Sequence, residues 1–376
     1  MTDPGILGYL GVFLATVAFV LVLTPLALKY AINRDVLDRP GLEYKIQESP
    51  VPYLGGLAIV VAFSLVVLLA SLVRPPETGL DELALILGLA VVLAVMGLVD
   101  DLRGLSPLLR LGVEIGAGIA LVAAGTGVEL TGNTVIDGAV TVIWIAGITN
   151  AFNLLDNMDG LSAGVAAIAS AFFFLIAAQN GQFLVATLAA GVAGCSLGFL
   201  RSNFHPARIY MGDAGALFLG FLLAVIGIKL QFESSRFVTA FVPVLVLGVA
   251  LFDTTLVAIT RVTHRLNPFA GGRDHTSHRL VFVGLSVPVA VSLIYAGAVS
   301  LGWLAVVMSR LEDKSTGLVL MAYVLTAAAF VGVLLGRVPV HASSKRRHLM
   351  LQEVAPHEAH SEPSTGAAER HLGNSA

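Results

Sequence analysis

Residues 83–104 read LALILGLAVVLAVMGLVDDLRG. The first seventeen, Leu83 to Val99, carry no charge, and Asp100 and Asp101 then stand side by side where the apolar run stops. A surface helix of a soluble domain keeps a polar face. This run has none, and its length approaches the roughly 20 apolar residues that a bilayer-crossing helix needs. Adjacent carboxylates repel, so both stay ionised only beside a cation or metal. The stretch therefore points to a membrane-spanning fold and to charged chemistry at a span end, although a solvated helix end facing Arg103 and Arg110 would look the same.

The rest of the chain repeats the apolar half of that pattern. Of 376 residues, 56% are hydrophobic and 12% charged, and the mean hydropathy is +0.87. A soluble domain carries about 25% charged residues. Eleven apolar runs read as spans: 6–28, 53–73, 83–99, 109–125, 136–150, 161–179, 183–200, 214–231, 238–260, 281–307 and 317–336. The expected fold is all-α, a polytopic integral membrane protein with about 11 transmembrane helices. Lys and Arg collect in cytoplasmic loops. With the N-terminus outside and the C-terminus cytoplasmic, 17 of the 22 basic residues fall on the cytoplasmic side, a split that requires the short, Gly-rich fourth and fifth runs.

Residues 1–336 are expected to form the transmembrane domain, and 337–376 a disordered cytoplasmic tail whose basic start, Lys345 to Arg347, lies beside the anionic leaflet. No basic residue precedes the first run, which reads as a retained anchor rather than a cleaved leader. Cys195 is the only cysteine, so no intrachain disulfide forms. No nucleic-acid partner is expected; the bilayer itself is the first partner.

Three acidic groups and one His/Arg group map to loops on the same, cytoplasmic side. Asp100-Asp101 is the first. The second is Asn150-Ala151-Phe152-Asn153-Leu154-Leu155-Asp156-Asn157-Met158-Asp159-Gly160. If the fifth span stays helical to its end, Asn150, Asn153 and Asp156 share one face, and such hard oxygen ligands suit Mg²⁺. Gly160 should then break the helix and free Asp159 to cap the sixth span.

The third group is Met211-Gly212-Asp213-Ala214-Gly215, where Asp213 serves equally well as a helix cap or a metal ligand. The fourth is Gly271-Gly272-Arg273-Asp274-His275-Thr276-Ser277-His278-Arg279, whose arginines suit phosphate oxygens. Lys45, in the loop before Pro50-Val51-Pro52-Tyr53-Leu54-Gly55-Gly56, is a phosphate contact or a topology charge.

Together these groups resemble the polyprenyl-phosphate N-acetylhexosamine-1-phosphate transferase family over roughly residues 10–336. The resemblance rests on PVPYLGG, the DD pair, NAFNLLDNMDGLSAG, IYMGDAGALFLG and DHTSHRL in this order and spacing. It implies a bacterial cytoplasmic (inner) membrane enzyme with its site facing the cytoplasm. Such an enzyme moves a sugar-1-phosphate from a UDP-N-acetylhexosamine to undecaprenyl phosphate and releases UMP.

By the same resemblance, Asp100 and Asp101 are the acidic pair linked to lipid phosphate and metal. Asn153, Asp156 and Asp159, with Asn150, belong to the nucleotide-sugar motif. Asp213, with Asp156 or Asp101, binds Mg²⁺ or Mn²⁺. His275, His278 and Arg279 contact the sugar-phosphate side. Asp100, Asp101 and Asp156 are the expected catalytic residues, and a homodimer is compatible with this reading.

The chain departs from the family pattern in two places. Tyr44, Lys45, Ile46 and Gln47 stand where the family usually reads Arg-Lys-x-His. The histidine loop lacks the unbroken histidine run and following Glu of the phospho-MurNAc-pentapeptide translocase, which favours the UDP-GlcNAc branch. That translocase is the nearest alternative. A cation-coupled transporter is the alternative from another class, but its acids would sit at the midplane of repeated halves.

Overall fold

The structure is a computed structural model and describes residues 5–38, 50–75, 80–232, 238, 240–267 and 272–338. Helices α1 (Gly5–Asn33), α2 (Gly55–Val73), α3 (Leu80–Arg103), α4 (Pro107–Ala123), α5 (Thr134–Leu155), α6 (Leu161–Gln179), α7 (Phe183–Asn203) and α8 (Gly212–Lys229) follow in order. They are succeeded by α9 (Phe241–Val246), α10 (Gly248–Thr263), α11 (Thr276–Phe282), α12 (Val287–Met308) and α13 (Lys314–Gly336). A ribbon of β1 (Leu37–Asp38) and β2 (Val51–Pro52), antiparallel with Leu37 opposite Pro52, lies between α1 and α2.

Nine of the described helices are long and apolar enough to cross a membrane, which makes the chain an all-α, polytopic membrane protein. The fourth expected span is α4, only 17 residues long. The ninth, expected as one helix over 238–260, is two helices broken at Leu247. Gly248 opens the second piece. The tenth starts at Val287 rather than 281. Residues 281 and 282 belong to α11, Gly284 turns the chain at φ +103°, and Pro288 sits in the first turn of α12. All but two residues of the expected tail lie outside the described residues.

At the centre stands α8. Every residue from Ala214 to Gly227 is buried, which fits a helix apolar all round. It packs against α3, α5 and α2. Lipid gives membrane helices no hydrophobic drive to associate, so close backbone approach matters more. Glycines supply it here. A side chain at Gly56 would collide with the Gly215 amide, and one at Gly97 would meet the Asp213 carbonyl at 2.5 Å. By contrast α13 is almost wholly unburied, with Leu325 and Phe330 facing outward.

Candidate active site

The amino ends of α2, α4 and α8 and the carboxyl ends of α3 and α5 meet at one end of the bundle. The segment Pro52–Gly56 forms a strap across that end. Tyr210 N donates to Pro52 O (2.7 Å), Gly55 N to Tyr210 O (3.0 Å) and Gly56 N to Met211 O (2.9 Å). These bonds deliver Gly212, at φ +65°, into a turn that only glycine tolerates. A Cβ there would also stand 2.5 Å from Asp101 Oδ2.

Asp213 occupies the first turn of α8, but Met211 is the capping position and makes no side-chain cap bond. The cap comes from another helix: Asp213 N donates to Asp101 Oδ1 at 3.2 Å. Of the two sequence readings of Asp213, the cap is excluded.

Arg110 draws the cluster together. Ser106 caps α4 by accepting from Leu109 N, with Pro107 following, so Arg110 projects from the first turn. Its guanidinium donates to Asp100 Oδ2 (2.5 Å), Asp213 Oδ2 (3.1 Å) and Asn153 Oδ1 (2.6 Å). Asn153 Nδ2 returns a bond to Asp213 Oδ1 at 2.7 Å. Asp100 Oδ1 accepts from Leu105 N at 2.5 Å, so both its oxygens are engaged. Three motifs far apart in sequence thus share one cation. Sequence reading counted Arg110 as a topology charge and as a residue facing the DD helix end; it gave no signal that Asn153 and Asp213 share the same guanidinium.

Two acceptors in the cluster lack donors. Asp101 Oδ2 is buried without a hydrogen-bond partner. Asp156, the capping residue of α5, is pushed up to about 8 by burial and by the negative charges of Asp213 and Asp159. Among the described residues no three His, Cys, Asp or Glu side chains form a ready-made metal cage. Mg²⁺ does not require one, since it is usually held by one or two carboxylates together with substrate phosphates. An orphaned Asp101 oxygen and an Asp156 repelled by the charge of Asp213 fit such a cation.

The end of span five stays helical through Asn150 and Asn153, as its spacing predicts, but the two asparagines part company. Asn150 Nδ2 donates to Glu114 Oε2 and to Ala146 O (2.9 Å), inside the α4–α5 contact. Glu114 is fully buried, and its second oxygen has no partner. Gly160 is not what ends α5, which stops at Leu155; it stands instead at the start of α6, at φ +75°. Asp159 does not cap α6. It accepts instead from Ala207 N (3.0 Å) and pairs with His205 Nδ1 (2.8 Å) in the loop after α7.

The histidine loop is fastened separately. His275 Nδ1 pairs with Asp253 Oδ2 at 2.8 Å, and Thr276 N donates to Asp253 Oδ1 at 2.6 Å. Asp274 takes a two-pronged bond from Arg261 (2.7 and 2.8 Å). Burial above all, then the proximity of His275 and Arg273, push His278 down to about 4. Ser277 Oγ donates to Asn157 Oδ1 at 2.6 Å, which ties the loop to the residue beside Asp156.

Arg279 is a correction. It is fully buried, and its guanidinium donates to Asp274 O (2.7 Å), Leu335 O (2.8 Å) and Thr260 Oγ1 (2.9 Å). It holds the loop and the end of α13 rather than a phosphate. Lys45 lies outside the described residues. Sequence reading missed Asp253; the signal available was a carboxylate within an apolar span.

The sequence model described as "Glycosyl transferase family 4" matches residues 83–231, the stretch from α3 to just beyond α8 that holds the acidic cluster. A Bacillus subtilis protein named "Probable undecaprenyl-phosphate N-acetylglucosaminyl 1-phosphate transferase" is 32% identical over 304 residues, covering 78% of this chain and 83% of its own. A Mycobacterium leprae protein named decaprenyl-phosphate N-acetylglucosaminephosphotransferase is 30% identical, with the same coverage of 78% and 83%. A Levilactobacillus brevis phospho-N-acetylmuramoyl-pentapeptide-transferase is 31% identical over 61% of this chain and 77% of its own. The stretch the family model matches includes the residues that Arg110 gathers at the end of the bundle, and the chain belongs to glycosyl transferase family 4.

Proposed function

We propose that this chain transfers N-acetylhexosamine-1-phosphate, and specifically GlcNAc-1-phosphate, from its UDP-sugar to undecaprenyl phosphate with release of UMP. The site faces the cytoplasm of a bacterium across its cytoplasmic membrane, and the product starts a cell-envelope polysaccharide. The observation that carries this reading is the gathering of Asp100, Asp101, Asn153 and Asp213 about Arg110 at one end of a membrane-embedded bundle. There a water-soluble diphosphate and a lipid phosphate can meet. The names of the Bacillus and Mycobacterium relatives support the sugar.

The chemistry is phosphoryl transfer, in which positioning and charge stabilisation do most of the work. A lipid phosphate oxygen bonds to the sugar-bound phosphorus as that phosphorus parts from the UMP oxygen. A divalent cation held by Asp213, Asp156 and Asp101 would neutralise charge on the diphosphate. Arg110 keeps Asp100 and Asp213 in place. Asp100 has both oxygens occupied, so it acts by orienting Arg110 and the loop at Leu105. His275 and His278 lie on the sugar-phosphate side.

The test uses purified protein in detergent with undecaprenyl phosphate, UDP-GlcNAc and MgCl₂ or MnCl₂. UMP release that needs lipid and metal, and stops with EDTA, is the expected result. Folded protein that releases no UMP from any UDP-HexNAc, or from UDP-MurNAc-pentapeptide, overturns the proposal.

A further inference from the structure

Asp253 sits within the apolar sequence of α10, GVALFDTTLVAITRVT, and is 2% exposed. An acid in such a run is costly and calls for a partner. Its two oxygens have separate tasks. Oδ2 meets His275 Nδ1 at 2.8 Å, and Oδ1 accepts the Thr276 amide at 2.6 Å. One carboxylate thus fixes both the ring of His275 and the backbone just after it.

Eight residues further along the same helix, Arg261 grips Asp274 with two bonds. The loop is therefore pinned on either side of His275 by points about 12 Å apart along α10. Ser277 to Asn157 adds a third pin, from the site itself.

We propose that Asp253 is a positioning residue for the transfer reaction and acts through His275. The inference rests on the function proposed above. An Nδ1–H held by a carboxylate leaves Nε2 as the acceptor nitrogen, with no partner among the described residues. That tautomer is what Asp253 provides. The charged and titratable groups around His275 are Asp253 and Arg261 of α10, Arg273 and Asp274 of the loop, and His278 of α11, whose ring lies 6.0 Å away.

The experiment is a double-mutant cycle with D253N and H275Q, read as UMP release in detergent. The amide introduced by D253N can still accept from Thr276 N but offers its NH₂ to Nδ1, which moves the ring proton to Nε2 and leaves the fold in place. D253N should lower kcat roughly 10- to 100-fold, with KM for UDP-GlcNAc within about threefold and an unchanged melting temperature. The same change made in an H275Q background should cost nothing further. D253S, which can also accept from the Thr276 amide, repeats the cycle if D253N is lost in purification.

Full kcat in D253N, or losses that multiply with H275Q, overturns the inference. Wild-type protein that releases no UMP overturns the underlying function instead.

Discussion

Substituting Gly97 by alanine puts one methyl group between α3 and α8 at the level of the acidic cluster. The new Cβ would stand 2.5 Å from the Asp213 carbonyl carbon and oxygen and 2.6 Å from the Ala214 nitrogen, whereas ordinary contact begins at 3.4 Å. The shortfall, 3.4 less 2.5, is about 0.9 Å. All three obstacles are backbone, so no side chain can swing aside and the helices themselves must part. The bond from Asp213 N to Asp101 Oδ1, already 3.2 Å long, would then stretch beyond hydrogen-bonding range. Overpacking of this kind costs about 1–3 kcal/mol of stability, and an ångström of misplacement at a reacting centre costs about 10²-fold in rate.

The assay is UMP release per folded molecule, with the melting temperature measured alongside. Gly88 lies on the same helix with nothing within 4 Å of its Cβ position, and G88A serves as the control, expected within about twofold of wild type. G97A within about threefold of wild type, at an unchanged melting temperature, would refute the claim that the α3–α8 contact sets the geometry of the site.

Arg110→Lys keeps the charge but cannot span Asp100, Asp213 and Asn153 at once. It should lower kcat about 10²-fold, Arg110→Ala should lower it further, and a fully active lysine variant would show the fork to be dispensable. Arg279→Ala removes the side-chain donor to the buried Asp274 carbonyl and the tie from α11 to Leu335. Its melting temperature should fall by several degrees with KM unchanged; an intact melting temperature with a tenfold higher KM would restore the phosphate clamp.

His278 in the folded chain is lowered to about 4 from an ordinary 6.5. Between those values the unfolded state binds the extra proton, so stability falls as pH drops from 6.5 toward 4, by up to about 3 kcal/mol. His278→Gln should flatten that acid limb of the melting curve, and an unchanged limb would place the loss elsewhere.

The span pattern was legible because a helix facing lipid cannot conceal a charge. For that reason Asp100, Asp156 and Asp213 stood out at the ends of apolar runs and prove to lie at one end of the bundle. What stayed hidden depends on pairing across helices. Arg110 looks like any loop arginine until α4 starts beside α3, and Arg279 looks like a phosphate ligand until α13 presents its last carbonyls. Asp159 reads as a cap because sequence reveals the helix that follows it but not the 204–211 loop lying over it. The break at Leu247 had Gly248 beside it as its signal, yet glycine is common in membrane helices and does not by itself end one. Family membership came from the order of the motifs, which no single side chain contains.

The bond from Arg279 to Leu335 has a practical consequence. The same guanidinium steadies the carbonyl of Asp274, next to His275. A truncation ahead of Leu335, or a fusion that unwinds the last turn of α13, releases an arginine inside the histidine loop. Such a change would disturb catalysis although it is made at the rim of the protein. An affinity tag joined at that turn belongs among the active-site variants when rates are compared.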